Sequence, residues 1–367
     1  MSHKFRRIAR FCLRLPAAIR LDGAVNLTRT LMACAAIALP SGIAKAQGSC
    51  DRDCLQKFIA RYVDAMVKHD ASSLPLAPGA TATQNGKPLV LGQGVWQSIT
   101  GVLSQPQYIS DVAAQQAGYI GVIADAGKPA FFGLRLKIVG NKIAEIETLL
   151  TREAEGGPAF EPQGFIYREA PYIRDVPLTV RSSPAELLRV ANVYWDVATS
   201  SHDAALIPYS VDCWHFENGM NTDWERSFNA TETAQLNQPA YRPQAFDGRI
   251  WTCAREAYLT TASWKLAHDR HFLVDPERGL VLNIVTVDVA AGAGAAGPRR
   301  AGGPGGPRAV PDPIEGPGAM PLGMSMAGMM STAGRNYSNL HFEVMRLVGG
   351  KITREQDLQH VLTGSTD

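Results

Sequence analysis

The chain has 367 residues, 46% of them hydrophobic and 19% charged. That balance argues against a disordered, collagen-like, coiled-coil or multi-span membrane chain, and the length suggests about two domains. The formal charge of +2 hides an asymmetry: residues 1–46 carry eight Lys/Arg and one acid, Asp22, leaving 28 basic and 33 acidic residues in the remainder, a net −5. A body of that charge without a Lys/Arg block is a poor nucleic-acid binder, because phosphate contacts need clustered cations.

In chain order, the first predicted element is a leader. The apolar run Leu31–Ile43 follows Arg29, and Ala44-Lys45-Ala46 fits the small-x-small rule for cleavage. We read residues 1–46 as a signal peptide, too short in its apolar part to persist as a membrane anchor. The long lead-in leaves Met32 as an alternative start. A weak lipobox reading of Leu31-Met32-Ala33-Cys34 is disfavoured because the apolar stretch follows it. Export, periplasmic or secreted, implies an oxidising compartment. The remaining cysteines are Cys50, Cys54, Cys213 and Cys253, an even set with three possible pairings. Two structural disulfides suit them better than a metal site, since no Cys-x-x-Cys or His-rich cluster accompanies them.

The body then repeats itself. Leu55, Phe58, Ile59, Tyr62 and Met66 share one face of an amphipathic helix, and Leu187, Val190, Ala191, Tyr194 and Ala198 share one face of another. After the first come His69-Asp70 and Gln84-Asn85-Gly86; after the second come His202-Asp203 and Glu217-Asn218-Gly219. Each block closes on two strands joined by a tight turn, Leu134 to Ile143 and Phe342 to Ile352. The expected organisation is two α+β units, 50–153 and 183–363, with 154–182 as a linker. One stretch breaks the symmetry: residues 290–335 are rich in Gly, Pro and Ala and hold Met320, Met324, Met326, Met329 and Met330. It reads first as a disordered loop, next as an apolar lid, and last as a thioether copper site, since no His or Cys lies nearby in sequence.

A helix with Tyr-x-x-Ala and then an Asp eight residues after the Tyr (Tyr62, Ala65, Asp70), the Asn-Gly after the first strand, and the closing hairpins resemble the nuclear-transport-factor-2-like, or SnoaL-like, proteins. The stretch Arg270–Gly279 is similar to exported members with two such units. The resemblance covers both units. It implies an α+β fold of two tandem cone-shaped, cystatin-like units, each a curved antiparallel sheet wrapped on helices around an apolar cavity. That fold hosts isomerases, dehydratases, cyclases and plain binding proteins, so it does not choose a function.

Within the second unit the spacing resembles ketosteroid isomerases, which use a Tyr and a protonated acid as oxyanion donors and another carboxylate as base. Tyr194 stands nine residues before Asp203, Glu217 ends the first strand, and Glu343-Val344-Met345-Arg346-Leu347 resembles the strand that carries the second donor. The first unit has Tyr62, Gln84 and Leu134 at these places and reads as a degenerate copy. The roles implied are Glu217 as base, with Tyr194 and Glu343 as donors to a developing oxyanion. Desolvation in an apolar cone would keep Glu343 protonated. His215 shares the face of Glu217 on an alternating strand and is an alternative base or acid. Asp196, His341 and Trp214 are candidate substrate contacts.

Each has a structural alternative. A helix-face Tyr often only packs, Glu217 and Glu343 could be solvated or ion-paired, Asp64 and Asp196 could face water, and Asp70 and Asp203 suit chain turns. Cys213 and Cys253 read as one disulfide within the second unit. His268 and His271 would lie on opposite faces of a strand, so they make no metal pair.

The expectation is an exported enzyme of isomerase, dehydratase or lyase type, acting by acid–base chemistry on a mostly apolar carbonyl or hydroxylated small molecule. It would need no cofactor and no metal. The alternative is a non-catalytic hydrophobic-ligand-binding or structural protein of the same fold. Expected partners are a small molecule only, with no nucleic acid and no membrane after signal cleavage. The two units would pack sheet against sheet as an internal pseudo-dimer, with Trp214 and Phe216 at that interface, in a monomeric chain.

Overall fold

The computed structural model describes residues 49–156, 160–166, 172–221, 253, 257, 261–290 and 336–362. The expected signal peptide, and the Gly/Pro/Met-rich stretch beyond residue 290, lie outside these. No helix among the described residues is long and apolar enough to cross a membrane.

Helix α1 (Arg52–Val67) starts where the Asp51 side chain accepts a hydrogen bond from the Cys54 amide at 2.9 Å, satisfying one of the open N–H groups of the first turn. Leu55, Ile59, Tyr62, Ala65 and Met66 recur on one face and are buried. The chain leaves through His69, at φ 55°, and Asp70, whose side chain accepts from the Ser72 amide at 3.1 Å. Seven strands follow: β1 (Leu76–Gln84), β2 (Lys87–Pro88), β3 (Ile99–Val102), β4 (Gln107–Asp111), β5 (Gln116–Asp125), β6 (Lys128–Val139) and β7 (Lys142–Thr151). They form one sheet in the order β2-β1-β7-β6-β5-β3, with β4 also pairing β5. Only the β1–β7 pairing is parallel.

After the short helices α2 (Glu153–Gly156) and α3 (Pro162–Ile166), the pattern recurs. Helix α4 (Pro184–Thr199) is capped by the Ser183 hydroxyl, which accepts from the Glu186 amide, and has Pro at its first position. It leads through His202, at φ 54°, and Asp203, which accepts from the Ala205 amide at 3.1 Å. Strands β8 (Tyr209–Glu217), β9 (Met220–Asn221), β10 (Trp264–Asp275), β11 (Leu280–Val289), β12 (Tyr337–Val348) and β13 (Lys351–Leu362) form a second sheet, in the order β9-β8-β13-β12-β11-β10. Again only one pairing, β8–β13, is parallel. The fold is mixed α+β, with two sheets and few helices.

Each helix seals the inner face of its own sheet. The outer faces meet each other. Ile109, Ile120, Val122, Phe131 and Leu149 of the first sheet join Leu273, Leu282, Ile284, Phe342, Val344 and Leu358 of the second in one buried cluster. Phe165 and Tyr172 add to that cluster, and Val176 is buried as well, so the segment expected to be a plain linker is partly core. The approach is close enough to need glycine: a Cβ on Gly133 would lie 2.5 Å from the Phe342 ring, and one on Gly118 would lie 2.6 Å from Leu282. Polar contacts frame the seam. Arg52 forms a two-pronged ion pair with the buried Asp275, which also accepts from the Ser110 amide at 3.1 Å, while Asp111 accepts from the Val274 amide at 3.0 Å. His271 meets Glu147 across the seam at 2.9 Å.

The disulfides are Cys50–Cys54 and Cys213–Cys253. The second ties β8 to a residue 40 positions further on. Trp214 does not join the seam as expected: its side chain leaves β8 on the outer face but is 47% exposed, with the Arg354 guanidinium 5.4 Å above its ring. Phe216, on the same side, is buried.

Two outcomes follow from the seam. Gly133→Ala should lower stability by about 1–3 kcal/mol in urea unfolding, the usual cost of overpacking. Gly101→Ala, whose Cβ meets nothing within 4 Å, should stay within about 0.5 kcal/mol. Equal midpoints for the two variants would contradict the close approach. The second outcome concerns His271, whose pKa the Glu147 hydrogen bond raises above its ordinary value, against desolvation and the Arg135 charge. A raised folded pKa stabilises the fold while the ring is protonated in both states. The contribution is therefore complete below about pH 6.5 and fades as the pH climbs through the raised value. Wild type should exceed His271→Gln in stability by more at pH 5.5 than at pH 8.5, and a gap independent of pH would contradict the bridge.

Candidate active site on the inner face of the second sheet

The site begins with a turn. Asn218-Gly219 joins β8 to β9 as a two-residue loop, both residues at positive φ (42° and 82°), the geometry that Asn-Gly supplies at low cost. The Asn218 amide donates to the Asp357 carbonyl at 2.9 Å, and its side-chain oxygen accepts from the Gln359 amide at 3.0 Å. This clamps the end of β8 against β13 in parallel register, with His215 opposite Glu355 and Glu217 opposite Asp357. Asn85 makes the same clamp in the first sheet, to Thr148 and Leu150.

Strand alternation then sorts the side chains. His341 faces α4, since its ring lies 5.4 Å from Trp195 and 5.2 Å from Trp264. Glu343, Met345 and Leu347 follow on the same face of β12, and the last two pack with Leu187, Val190 and Tyr194. The register continues the face across the sheet: Asn283 opposes Glu343, Glu343 opposes Asp357, and Asp357 opposes Glu217. Four polar residues therefore form one row over four strands. Gln359 lies beside His341 on one flank of the row, and Glu355 beside His215 on the other. None of these eight side chains belongs to a residue more than 4% exposed.

Two arrangements within this group have defined geometry. Asp357 Oδ2 accepts from His341 Nδ1 at 2.8 Å and from Gln359 Nε2 at 2.7 Å. The carboxylate thereby fixes the ring's orientation and places the Nδ1 proton, leaving His341 Nε2 without a hydrogen-bond partner among the described residues. The second is a triad from three strands: one nitrogen of His215 and one carboxylate oxygen each of Glu343 and Glu355 lie within 4.8 Å of one another. A Glu355 carboxylate oxygen also lies within 4.8 Å of the two bonded sulfurs of Cys213 and Cys253. Tyr337, at the start of β12, has its hydroxyl pushed up to about 12, first by burial and then by the Glu217 charge.

The structure thus brings Glu217, Glu343, His215 and His341 onto one face, and sets Tyr194 in the helix that covers it. It does not bring Asp196 or Trp214 there. Asp196 is exposed on α4 and pairs with Arg270 at 2.7 Å, because it projects from the helix side opposite the packing stripe. Trp214 alternates to the outer face of β8. Asp64 is likewise exposed and pairs with Lys68 at 2.8 Å. Glu355, Asp357, Gln359, Asn283 and Tyr337 escape a reading of the sequence, since the run Arg354-Glu-Gln-Asp-Leu-Gln resembles a solvated strand. A usable signal is comparison with β7, where Ile146, Thr148 and Leu150 occupy the matching register.

The first sheet has the same scaffold with different contents. By register, Ala82, Gln84, Phe132, Leu134, Ile146, Thr148 and Leu150 stand where the second sheet has His215, Glu217, His341, Glu343, Glu355, Asp357 and Gln359. Its interior is apolar core. Gln84 accepts from the Val95 amide at 3.1 Å, and the Tyr62 hydroxyl accepts from Trp96 at 3.2 Å.

Residues 180–356 match the family described as a domain of unknown function (DUF8021). No curated protein matches the chain. Similar solved structures include an NTF2-like protein from Cytophaga hutchinsonii (9% identical over 26% of this chain and 88% of that one, TM-score 0.22). Another is a protein with a cystatin-like fold from Methylobium petroleophilum (16% identical, 33% and 95% covered, TM-score 0.25). A de novo designed protein with a curved β-sheet is similar over 28% of this chain and 88% of its own, at 14% identity and TM-score 0.24.

Proposed function

We propose that this chain is an exported protein of two tandem SnoaL-like units, in which the second carries an acid–base site for a mostly apolar carbonyl or hydroxylated small molecule. The first unit is its structural counterpart. The reaction class is isomerisation, dehydration or a related lyase step. One observation carries this reading: seven matched positions are apolar or neutral in the first sheet and polar or ionisable in the second, with every side chain of the second set withdrawn from water. Burying carboxylates and imidazoles costs stability, and an interior that needed only packing would resemble the first sheet. Export is supported by the two disulfides. The mutual burial of the two outer faces supports a chain that works as a single copy.

In this reading Glu217 takes a carbon-bound proton. Tyr194 and Glu343 donate to the oxygen on which charge develops, and His341, held by Asp357, returns a proton to carbon or to a departing hydroxyl. His215 orients the substrate oxygen.

The test is proton exchange. The purified chain is incubated in D2O with a panel of cyclic and aromatic ketones and β-hydroxy ketones, and deuterium uptake at the α-carbon is followed by NMR. Uptake catalysed by wild type is expected, lowered about 10²–10⁴-fold in Glu217→Gln and His341→Gln and unchanged in Asp64→Asn. Saturable ligand binding with no exchange, identical in wild type and Glu217→Gln, would contradict the enzyme reading and leave a ligand carrier.

A further inference from the structure

We propose that His215, Glu343 and Glu355 form a binding site for a divalent transition-metal ion of the Zn2+ class. The inference goes beyond the acid–base reading and departs from the sequence expectation of no metal. Three neighbouring strands, β8, β12 and β13, each supply one donor from the inner face. One imidazole nitrogen and two carboxylate oxygens within 4.8 Å of one another match the donor types that Zn2+ accepts. Around an ion with bonds of about 2.0–2.2 Å, tetrahedral donors sit about 3.3–3.6 Å apart, so donors at the 4.8 Å limit need to draw in by at most about 1–1.5 Å. Three protein ligands leave a position open for water or a substrate oxygen.

Two further observations point to a ligand at this face. Asp357, directly across from Glu343, is buried, and its Oδ1 has no hydrogen-bond partner among the described residues; His341 Nε2, two residues before Glu343, has none either. Buried polar atoms left open in this way are uncommon and costly. A water on the ion would offer Asp357 Oδ1 a donor, as acceptors around metal sites commonly require. The first sheet supplies the contrast: Ala82, Leu134 and Ile146 stand at the three matched positions, and none can ligate. The three differ together, as a single site would require. With the ion bound, Glu343 is ionised, and the ion takes over polarisation of the substrate oxygen. Glu217 and the His341–Asp357 pair remain to move protons.

The test uses the mature chain, oxidised and dialysed against chelator, titrated with Zn2+ by calorimetry and with Co2+ by visible absorption. One ion per chain is expected, with the d–d bands of a cobalt ion in a low-symmetry protein site. His215→Gln and Glu355→Gln should each weaken binding at least about tenfold, and so should Asp357→Asn. His268→Gln, on the surface, should not. Circular dichroism and urea midpoints identify variants that fold; where a glutamine variant fails, His215→Asn or Glu355→Asp takes its place. Absence of one-to-one binding by wild type would overturn the proposal. So would folded ligand variants that bind as tightly as wild type. Metal binding without proton exchange sustains this site and sinks the acid–base reading, whereas exchange by a chain that binds no ion does the reverse.

Discussion

The chemistry proposed for the second sheet depends on what covers its outer face. An antiparallel sheet usually keeps one face in water, and residues such as Glu355, Asp357 and Gln359 would then be ordinary solvated side chains. Here Phe342, Val344 and Leu358 pack against Phe131 and Leu149 of the first sheet, and Gly133 leaves room for the Phe342 ring. Helix α4 closes the other side with Leu187, Val190, Tyr194 and Trp195. Strands β12 and β13 are therefore buried on both faces over most of their length, and His341, Glu343, Glu355, Asp357 and Gln359 on the inner one are removed from water. The back-to-back packing turns a polar strand into a low-dielectric site in which each charge has a large effect.

The two sheets then answer one question in opposite ways. Both have the same strand order, the same parallel pair and the same Asn-Gly clamp. In the first, Tyr62, Trp96, Phe132 and Leu134 fill the interior, and Gln84, Tyr62 and Trp96 take part in local hydrogen bonds. In the second, carboxylates and imidazoles occupy the same register. Withdrawing ionisable groups from water costs free energy that an apolar interior does not spend. The proposed function divides the labour accordingly, with the apolar sheet, held to the polar one by Arg52 and Asp275, as its support.

Much of this is legible in the sequence. Period 3.6 finds both helices and their buried faces, Asp70 and Asp203 mark the turns after them, and Asn-Gly marks the tip of each first strand. Alternation on β8 and β12 puts His215 with Glu217 and His341 with Glu343. What escapes is set by register, which is not local. Nothing in Glu355-Gln-Asp-Leu-Gln tells whether its face is wet, and only the pairing of Asp357 with Glu343 and Glu217 turns these residues inward. Trp214 misleads for the opposite reason. A tryptophan suggests core, yet it lies where the outer face of β8 is left partly uncovered, and Arg354 shields it. Asp196 misleads because the helix repeat aims it at Arg270 rather than inward.

On the proposed reading, the polar contents of the second sheet serve function at a cost in stability. The most direct measurement gives that sheet the contents of the first: His341→Phe, Glu343→Leu and Asp357→Thr combined, compared with wild type by urea unfolding and by binding and exchange. A folded chain with a higher urea midpoint that binds no ion and exchanges no proton is expected, the usual signature of a functional site exchanged for packing. A lower midpoint or loss of the fold would contradict the claim, because the buried His–Asp–Glu set would then be holding the sheet together.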